Sequence, residues 1–236
     1  MLGVIIALIV SFIPCTILFF YLRGLRKEEN YQKNCGKMLL KGVLCSLGVA
    51  LLDLVVNILW ALTGLDKVSP LLNAAFHDFI IAAAVEEFVK YMTADRMIKK
   101  NSADISWLEV IAFAGITAIG FELIESFVYF FSTNIMQILV RGFTMMHASY
   151  GMLMGYFIGK AKKTGNKINL FWAFFLPFLL HGCYDFSLAD EFQALNDNLV
   201  FVPFIMVAIT LVVFFRMLKV IKNGKNDAEY TGRLEG

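Results

Sequence analysis

The sequence predicts an all-α protein, a polytopic bundle of about seven transmembrane helices. Hydrophobic residues make up 59% of its 236 residues and charged residues only 17%, a composition outside the range of soluble globular domains. The apolar stretches are each about 20–27 residues long, the length that a helix needs to cross the ~30 Å hydrocarbon core of a bilayer. The connections between them are short, so we expect no separate soluble domain.

Seven apolar segments account for most of the chain, and each is predicted to be one span. The first has no basic residue before it and no small-x-small cleavage site, so we expect an uncleaved anchor, kinked at Pro14, rather than a signal peptide. A single membrane domain is predicted at 1–222, followed by a short polar cytoplasmic tail at 223–236. The predicted spans lie near 2–22, 39–63, 70–96, 107–131, 136–159, 168–187 and 199–221.

The basic residues predict the topology of the bundle. Eighteen of the 21 lysines and arginines lie in alternate connections, at 23–41, 96–100, 160–167 and after 215. Basic residues mark cytoplasmic connections, so we predict an outside N-terminus, a cytoplasmic C-terminus and an odd number of spans. The net charge of +2 therefore reflects membrane topology, and we expect the lipid bilayer, not nucleic acid, as a partner.

Four of the predicted spans carry ionisable residues near their middle. A charged side chain at the bilayer centre costs ~2.5 to more than ~10 kcal/mol, so its repetition on four helices predicts one shared polar site. Converted at about 1.5 Å per helical residue, their positions fall in a common central slab of the membrane. The motifs are Glu86-Glu87-x-x-Lys90, Glu122-x-x-Glu125, Arg141 with His147, and His181-x-x-x-Asp185.

The spacing within these motifs predicts pairs on one helix face. Lys90 is four residues from Glu86 and three from Glu87, so it can pair with one carboxylate while the other faces a cavity. His181 and Asp185 are four residues apart, the spacing at which a carboxylate can fix the tautomer of an imidazole. The motifs therefore predict both the charge partners and the orientation of one histidine.

The charges of the predicted site do not balance. Its five carboxylates exceed Lys90 and Arg141 by three negative charges when the histidines are neutral, and a low-dielectric site does not tolerate that excess. The site must hold protons on carboxylates, protonated histidines, a divalent cation or a mixture. Each of these supports acid–base hydrolysis, so a membrane-embedded enzyme is the first hypothesis.

Each motif is also compatible with a structural or transport role. The carboxylate–lysine motif can be a structural ion pair, Glu122 and Glu125 can form interhelical hydrogen bonds, and Arg141 can neutralise a glutamate. An ion or proton transporter would use the same carboxylates as a relay, although the sequence shows no internal repeat. A non-catalytic scaffold would bind a transmembrane partner through a ridge of small residues, Gly151, Gly155 and Gly159.

The remaining polar, aromatic and cysteine residues predict structural roles. Asp53 with Asn57, and His77 with Asp78, are predicted to be structural or to line a vestibule. The four cysteines form no CxxC pair and predict no disulfide framework. The phenylalanines are predicted to face lipid or fill the core, and we expect no further role for Phe121, Phe127 and Phe143.

The ordered set of motifs resembles the PrsW family of intramembrane proteases. That family's pattern is EExxK, FExxE, a helix with a histidine and HxxxD, and here the motifs occupy about 85–186. The related type II CAAX prenyl endopeptidases and bacteriocin-immunity membrane proteins carry EExxxR, so the EExxK of this chain favours PrsW. A prenyl-protein endopeptidase is the nearest alternative activity.

The resemblance implies a multi-pass protease of the bacterial cell membrane. Its implied substrate is a membrane-anchored protein, a single-span anti-sigma factor whose site-1-type cleavage starts a stress response. It implies that Glu86 or Glu87 activates water and that His147 and His181 bind a divalent metal or stabilise the oxyanion. Zinc would be held by His147, His181 and Glu86, or the enzyme would work without a metal as a glutamate protease. The implied supporting residues are Lys90, Glu122, Glu125, Arg141 and Asp185.

Overall fold

A computed structural model of the chain describes residues 2–100, 105–132, 140 and 142–224. Every regular segment within these residues is helical, which confirms the predicted all-α class. The helices are α1 (Leu2–Arg23), α2 (Glu29–Thr63), α3 (Pro70–Phe76), a π-helical segment (His77–Ala84), α4 (Val85–Lys100), α5 (Trp107–Ser132), α6 (Met146–Thr164), α7 (Ile168–Leu188), α8 (Asp190–Gln193) and α9 (Val202–Gly224), with short 3₁₀ turns at Leu65–Lys67 and Asp197–Phe201.

The long helices occupy the segments that the sequence predicted as spans. Four helical segments of the described residues are long and apolar enough to cross a bilayer: Glu29–Thr63, Trp107–Val128, Ile168–Leu188 and Asp197–Gly224. The length and composition of these helices are those of a membrane protein. The seven-span count and the orientation of the termini stay predictions.

Helix α5 forms the centre of the bundle. It packs against α6, α2 and α1. Of the residues in its apolar stretch, 89% are buried within the protein, whereas the corresponding share for α2 is 17%. Its start is fixed by a capping box, since the Ser106 amide donates to the Glu109 carboxylate at 2.7 Å and the Glu109 amide to the Ser106 hydroxyl at 3.3 Å. Arg26, between α1 and α2, pairs with Glu109 at 2.9 Å.

Small residues allow the helices around α5 to approach closely. A Cβ at Gly155 of α6 would lie 2.7 Å from the Val110 carbonyl oxygen and 2.8 Å from the Ile111 Cα of α5. Gly151 and Gly159 also contact α5. The predicted glycine ridge is therefore buried inside the chain, which removes it as a docking surface for a transmembrane partner and contradicts the scaffold hypothesis.

Two predicted spans depart from regular α-helix. The third is continuous but contains the eight-residue π-helical segment immediately before α4. In the fifth, Met145 has a left-handed backbone with φ 44°, and α6 begins after it. Both departures lie within three residues of a predicted site residue, which is where backbone irregularity is common in proteins.

Candidate active site

The ionisable residues of the third, fifth and sixth predicted spans meet in one buried cluster. Glu86, Glu87, His147 and His181 each offer a ligand atom, and these four atoms lie within 4.8 Å of one another. Glu87 and His147 are 0% exposed, His181 1% and Glu86 7%. The sequence therefore predicted correctly that these side chains converge, although their catalytic roles stay predictions.

Lys90 lies at the centre of this cluster and uses all three of its donors. Its Nζ donates to Glu86 Oε2 at 3.2 Å, to Glu87 Oε1 at 2.9 Å and to His147 Nδ1 at 2.7 Å. The motif spacing predicted that Lys90 would pair with one carboxylate and leave the other facing a cavity. Instead it binds both, because the i,i+3 and i,i+4 positions lie on the same helix face.

The hydrogen bonds of His147 define its tautomer. An ammonium group has no acceptor, so Nδ1 of His147 accepts from Lys90 and its proton lies on Nε2. His147 Nε2 donates to a carboxylate oxygen of Glu125. The imidazole is thereby held between a cation on α4 and an anion on α5, in a single ring orientation.

Glu122 has a structural contact that the sequence did not specify. The backbone amide of His147 donates to Glu122 Oε2 at 3.3 Å, in the first turn of α6, where amides have no partner within the helix. The left-handed Met145 precedes this turn, and a carboxylate at a helix N-terminus is favoured by the helix dipole. Glu122 therefore helps to fix the start of α6, and with it the position of His147.

His181 is held from two sides by carboxylates. Its Nδ1 donates to Glu87 Oε1 at 3.0 Å, and its Nε2 lies 3.0 Å from Asp185 Oδ2. The second contact has an ion-pair distance but lacks hydrogen-bond geometry, and His181 Nε2 has no hydrogen-bond partner. Asp185 is thus placed beside His181 as predicted, but Nε2 of His181 forms no hydrogen bond with it.

The helix of His181 is positioned by aromatic packing. A Cβ at Gly182 would collide with the Phe79 ring of the π-helical segment, so α7 lies directly against the segment that leads into Glu86 and Glu87. The imidazole rings of His147 and His181 are 5.0 Å apart and nearly perpendicular. The π-helical segment therefore positions both the carboxylates and one histidine.

Phe121 is a wall of the cluster, which corrects the expectation that it has no role there. Its ring lies 4.0 Å from Lys90 Nζ and 5.3 Å from the ring of His147, and it is 2% exposed. An aromatic face beside an ammonium stabilises the cation. Phe127 and Phe143, which are 50% and 58% exposed, agree with the predicted lipid-facing role.

Two other predicted polar pairs lie outside the group of four donor residues. His77 Nδ1 and Asp78 Oδ1 pair with each other at 3.1 Å in the π-helical segment. The Asn57 side chain donates to the backbone carbonyl of Asp53 at 2.9 Å, and Asp53 Oδ1 is buried without a hydrogen-bond partner. Arg141, predicted as a charge partner, lies outside the residues that the structure describes.

A divalent cation fits the residues of the cluster. Two of the buried side-chain atoms without a hydrogen-bond partner in the described residues are Glu87 Oε2 and His181 Nε2. Carboxylate and imidazole donors are the usual set of a catalytic zinc site, in which three protein ligands leave one position open. The donor chemistry, the burial and the short separations therefore fit a divalent ion.

Comparison with known proteins agrees with this geometry. Residues 34–215 match the family model described as PrsW family intramembrane metalloprotease. A protease PrsW of Oceanobacillus iheyensis is 34% identical over 149 residues, which cover 61% of this chain and 67% of that protein. A protease PrsW of Clostridioides difficile is 30% identical over 199 residues, covering 78% of this chain and 80% of that protein. No solved structure matches the chain.

Proposed function

This chain belongs to the PrsW family of intramembrane metalloproteases, and we propose that it cleaves a membrane-anchored protein with water activated by Glu86 at the buried Glu/His cluster. The observation that carries the proposal is the convergence of Glu86, Glu87, His147 and His181 within 4.8 Å. An intramembrane protease is an enzyme, so the family decides against the transporter hypothesis. The EExxK motif favours this activity over the prenyl-protein alternative.

Glu86 is the better candidate for the general base of the adjacent pair. It is 7% exposed, whereas Glu87 is 0% exposed, so of the two only Glu86 retains exposed surface. Glu87 is committed to Lys90 and His181 through the same oxygen, Oε1. A general base must reach the proton that it removes. We therefore assign that role to Glu86, and we assign to Glu87 the role of organising the site.

Glu87, His147 and His181 would hold the metal. When bound, a divalent ion supplies Lewis-acid polarisation of the scissile carbonyl. Engaging Nδ1 of His181 requires its proton to reside on Nε2, which lies 3.0 Å from Asp185 Oδ2, and a small rotation of either side chain would bring these atoms into hydrogen-bond geometry. That carboxylate–histidine arrangement is the usual support of a ligating imidazole, and it gives Asp185 a positioning role.

Glu125 and Glu122 would keep His147 in place during the reaction. Glu125 accepts from Nε2 of the His147 ring, and Glu122 accepts from its backbone amide. The ring orientation and the start of α6 are therefore fixed independently. We propose that these two carboxylates position His147 and do not contact the peptide bond.

The proposed substrate is a single-span anti-sigma factor of the bacterial cell membrane. This step rests on the PrsW resemblance of the motifs, which lie in the helices that build the site. A peptide bond cleaved there must enter a cluster that is 0–7% exposed, so substrate has to approach between helices within the bilayer. The proposed orientation places the C-terminus in the cytoplasm, following the basic residues.

The test is cleavage of a single-span substrate by purified full-length protein in proteoliposomes. We expect Glu86→Gln, Glu87→Gln, His147→Ala and His181→Ala to lose at least about 10²-fold in rate. His77→Ala and Glu191→Gln are matched controls, because His77 lies outside the cluster and Glu191 is exposed. Wild-type rates in all four cluster variants would end the proposal for this site.

A further inference from the structure

The Lys90 ammonium lies where a metal ion held by this cluster would lie. His147 Nδ1 and Glu87 Oε1 are 3.9 Å apart, and zinc binds nitrogen and oxygen ligands at about 2.0–2.2 Å. An ion shared by these two atoms therefore lies close to the middle of the line that joins them. Lys90 Nζ is 2.7 Å from the first atom and 2.9 Å from the second.

These distances leave no space for both cations. The midpoint between His147 Nδ1 and Glu87 Oε1 lies about 2 Å from Lys90 Nζ, and metal–ligand bonds of about 2.0–2.2 Å would keep an ion within about 1 Å of that midpoint. The pair formed by His147 Nδ1 and Glu86 Oε2, 4.0 Å apart, gives nearly the same result. An ammonium nitrogen and a divalent ion at that separation overlap sterically and repel each other strongly.

The hydrogen bonds lead to the same conclusion. Lys90 is 2% exposed and directs its three donors at the lone pairs of Glu86, Glu87 and His147. Nδ1 of His147 has a single lone pair, and while it accepts from the ammonium that pair is not available to a metal. Metal binding through Nδ1 must therefore break the Lys90–His147 hydrogen bond.

We infer that Lys90 is an exchangeable cation of the site, so that its ammonium and a divalent metal occupy the donor cluster alternately. The inference rests on the metal centre proposed above. The lysine-occupied arrangement gives Glu86, Glu87 and His147 a shared hydrogen-bond donor without a metal, and it offsets one of the negative charges. Metal loading then requires Lys90 to leave the cluster, and metal affinity is reduced by the interactions that are lost.

The experiment measures binding of Zn²⁺ alone to purified full-length protein, by competition with a chromophoric chelator. Lys90→Met keeps the length of the side chain and removes its charge, and we expect it to bind Zn²⁺ about tenfold or more tightly than wild type. Lys90→Arg keeps the charge, so its affinity is expected not to exceed that of wild type. Lys99→Met is the matched control, since Lys99 is exposed and pairs with Asp95.

An unchanged or weaker affinity in folded Lys90→Met overturns the inference, as does the absence of binding in both it and wild type. Should Lys90→Met not fold, a structure of zinc-loaded wild type decides: Lys90 Nζ still bonded to Glu86, Glu87 and His147 contradicts the exchange. Proteoliposome cleavage is measured separately. If Lys90→Met shows no gain in Zn²⁺ affinity while cleavage still depends on the cluster residues, this inference alone is refuted. If cleavage does not depend on the cluster residues, the proposed function is refuted.

Discussion

Substitution of Gly155 by alanine tests whether close contact between α5 and α6 builds the site. The added Cβ would lie 2.7 Å from the Val110 carbonyl oxygen, 2.8 Å from Ile111 Cα and 2.9 Å from Ala114 Cβ. Ordinary contacts of a Cβ begin near 3.4 Å, and two of these neighbours are backbone atoms. The helices must therefore separate by roughly half an ångström or more, which costs about 1–3 kcal/mol.

The separation would also act on the site. His147 lies two turns from Gly155 on α6, and its ring and amide bind Glu125 and Glu122 on α5. We expect Gly155→Ala to lower the melting temperature by about 2–4 °C per kcal/mol lost and to reduce cleavage more than ~10-fold, because active-site geometry is sensitive to shifts of this size.

Thermal unfolding in detergent and cleavage in proteoliposomes measure the two effects. The control is Gly48→Ala on α2, where a Cβ meets nothing within 4 Å, so stability is expected to stay the same or rise by up to about 1 kcal/mol. If Gly155→Ala matches wild type in both assays, the close contact between α5 and α6 does not position the site.

Three further outcomes are expected. Glu125→Ala removes the acceptor of His147 Nε2 and should lower the cleavage rate ~10-fold or more, whereas Glu125→Gln, which keeps an acceptor oxygen, should lower it less; equal losses would contradict the positioning role. Glu109→Ala removes the contacts to Ser106 and Arg26 and should lower the unfolding free energy by about 1–3 kcal/mol without changing zinc affinity, which unfolding and competition titrations measure. Removal of metal by a chelator should abolish cleavage and lower the melting temperature of the loaded protein. The loss of unfolding free energy should be about 2.7 kcal/mol if the metal had been at 100 times its Kd. A melting temperature that changes neither with chelator nor with added zinc would contradict a bound metal.

The convergence of the site could be predicted because buried charge is costly in a bilayer. Glu86, Glu87, His147 and His181 were expected to meet, because they lie near the middle of three different apolar segments, where charge is costly. The pairing of Asp185 with His181 followed from i,i+4 spacing. These predictions needed only the period of the helix and the penalty for unpaired charge.

The details that failed depend on backbone irregularity and tertiary contact. The left-handed Met145 and the π-helical segment His77–Ala84 are not marked in the sequence, because neither contains a proline or a glycine. Phe121 is one of 23 phenylalanines, and only its position beside Lys90 distinguishes it. Glu122 gained its contact with the His147 amide from the same helix start at Met145.

The order in which the charged residues are synthesised has a consequence for insertion of the chain into the membrane. Helix α4 carries Lys90 with Glu86 and Glu87 and so enters the membrane with its own counter-ion, whereas α5 contains Glu109, Glu122 and Glu125 without any lysine, arginine or histidine. The residue that binds Glu125 is on α6, which is synthesised later. Helix α5 is therefore expected to wait beside the insertion machinery until α6 emerges, and nascent chains truncated before His147 should be preferred substrates of membrane quality control.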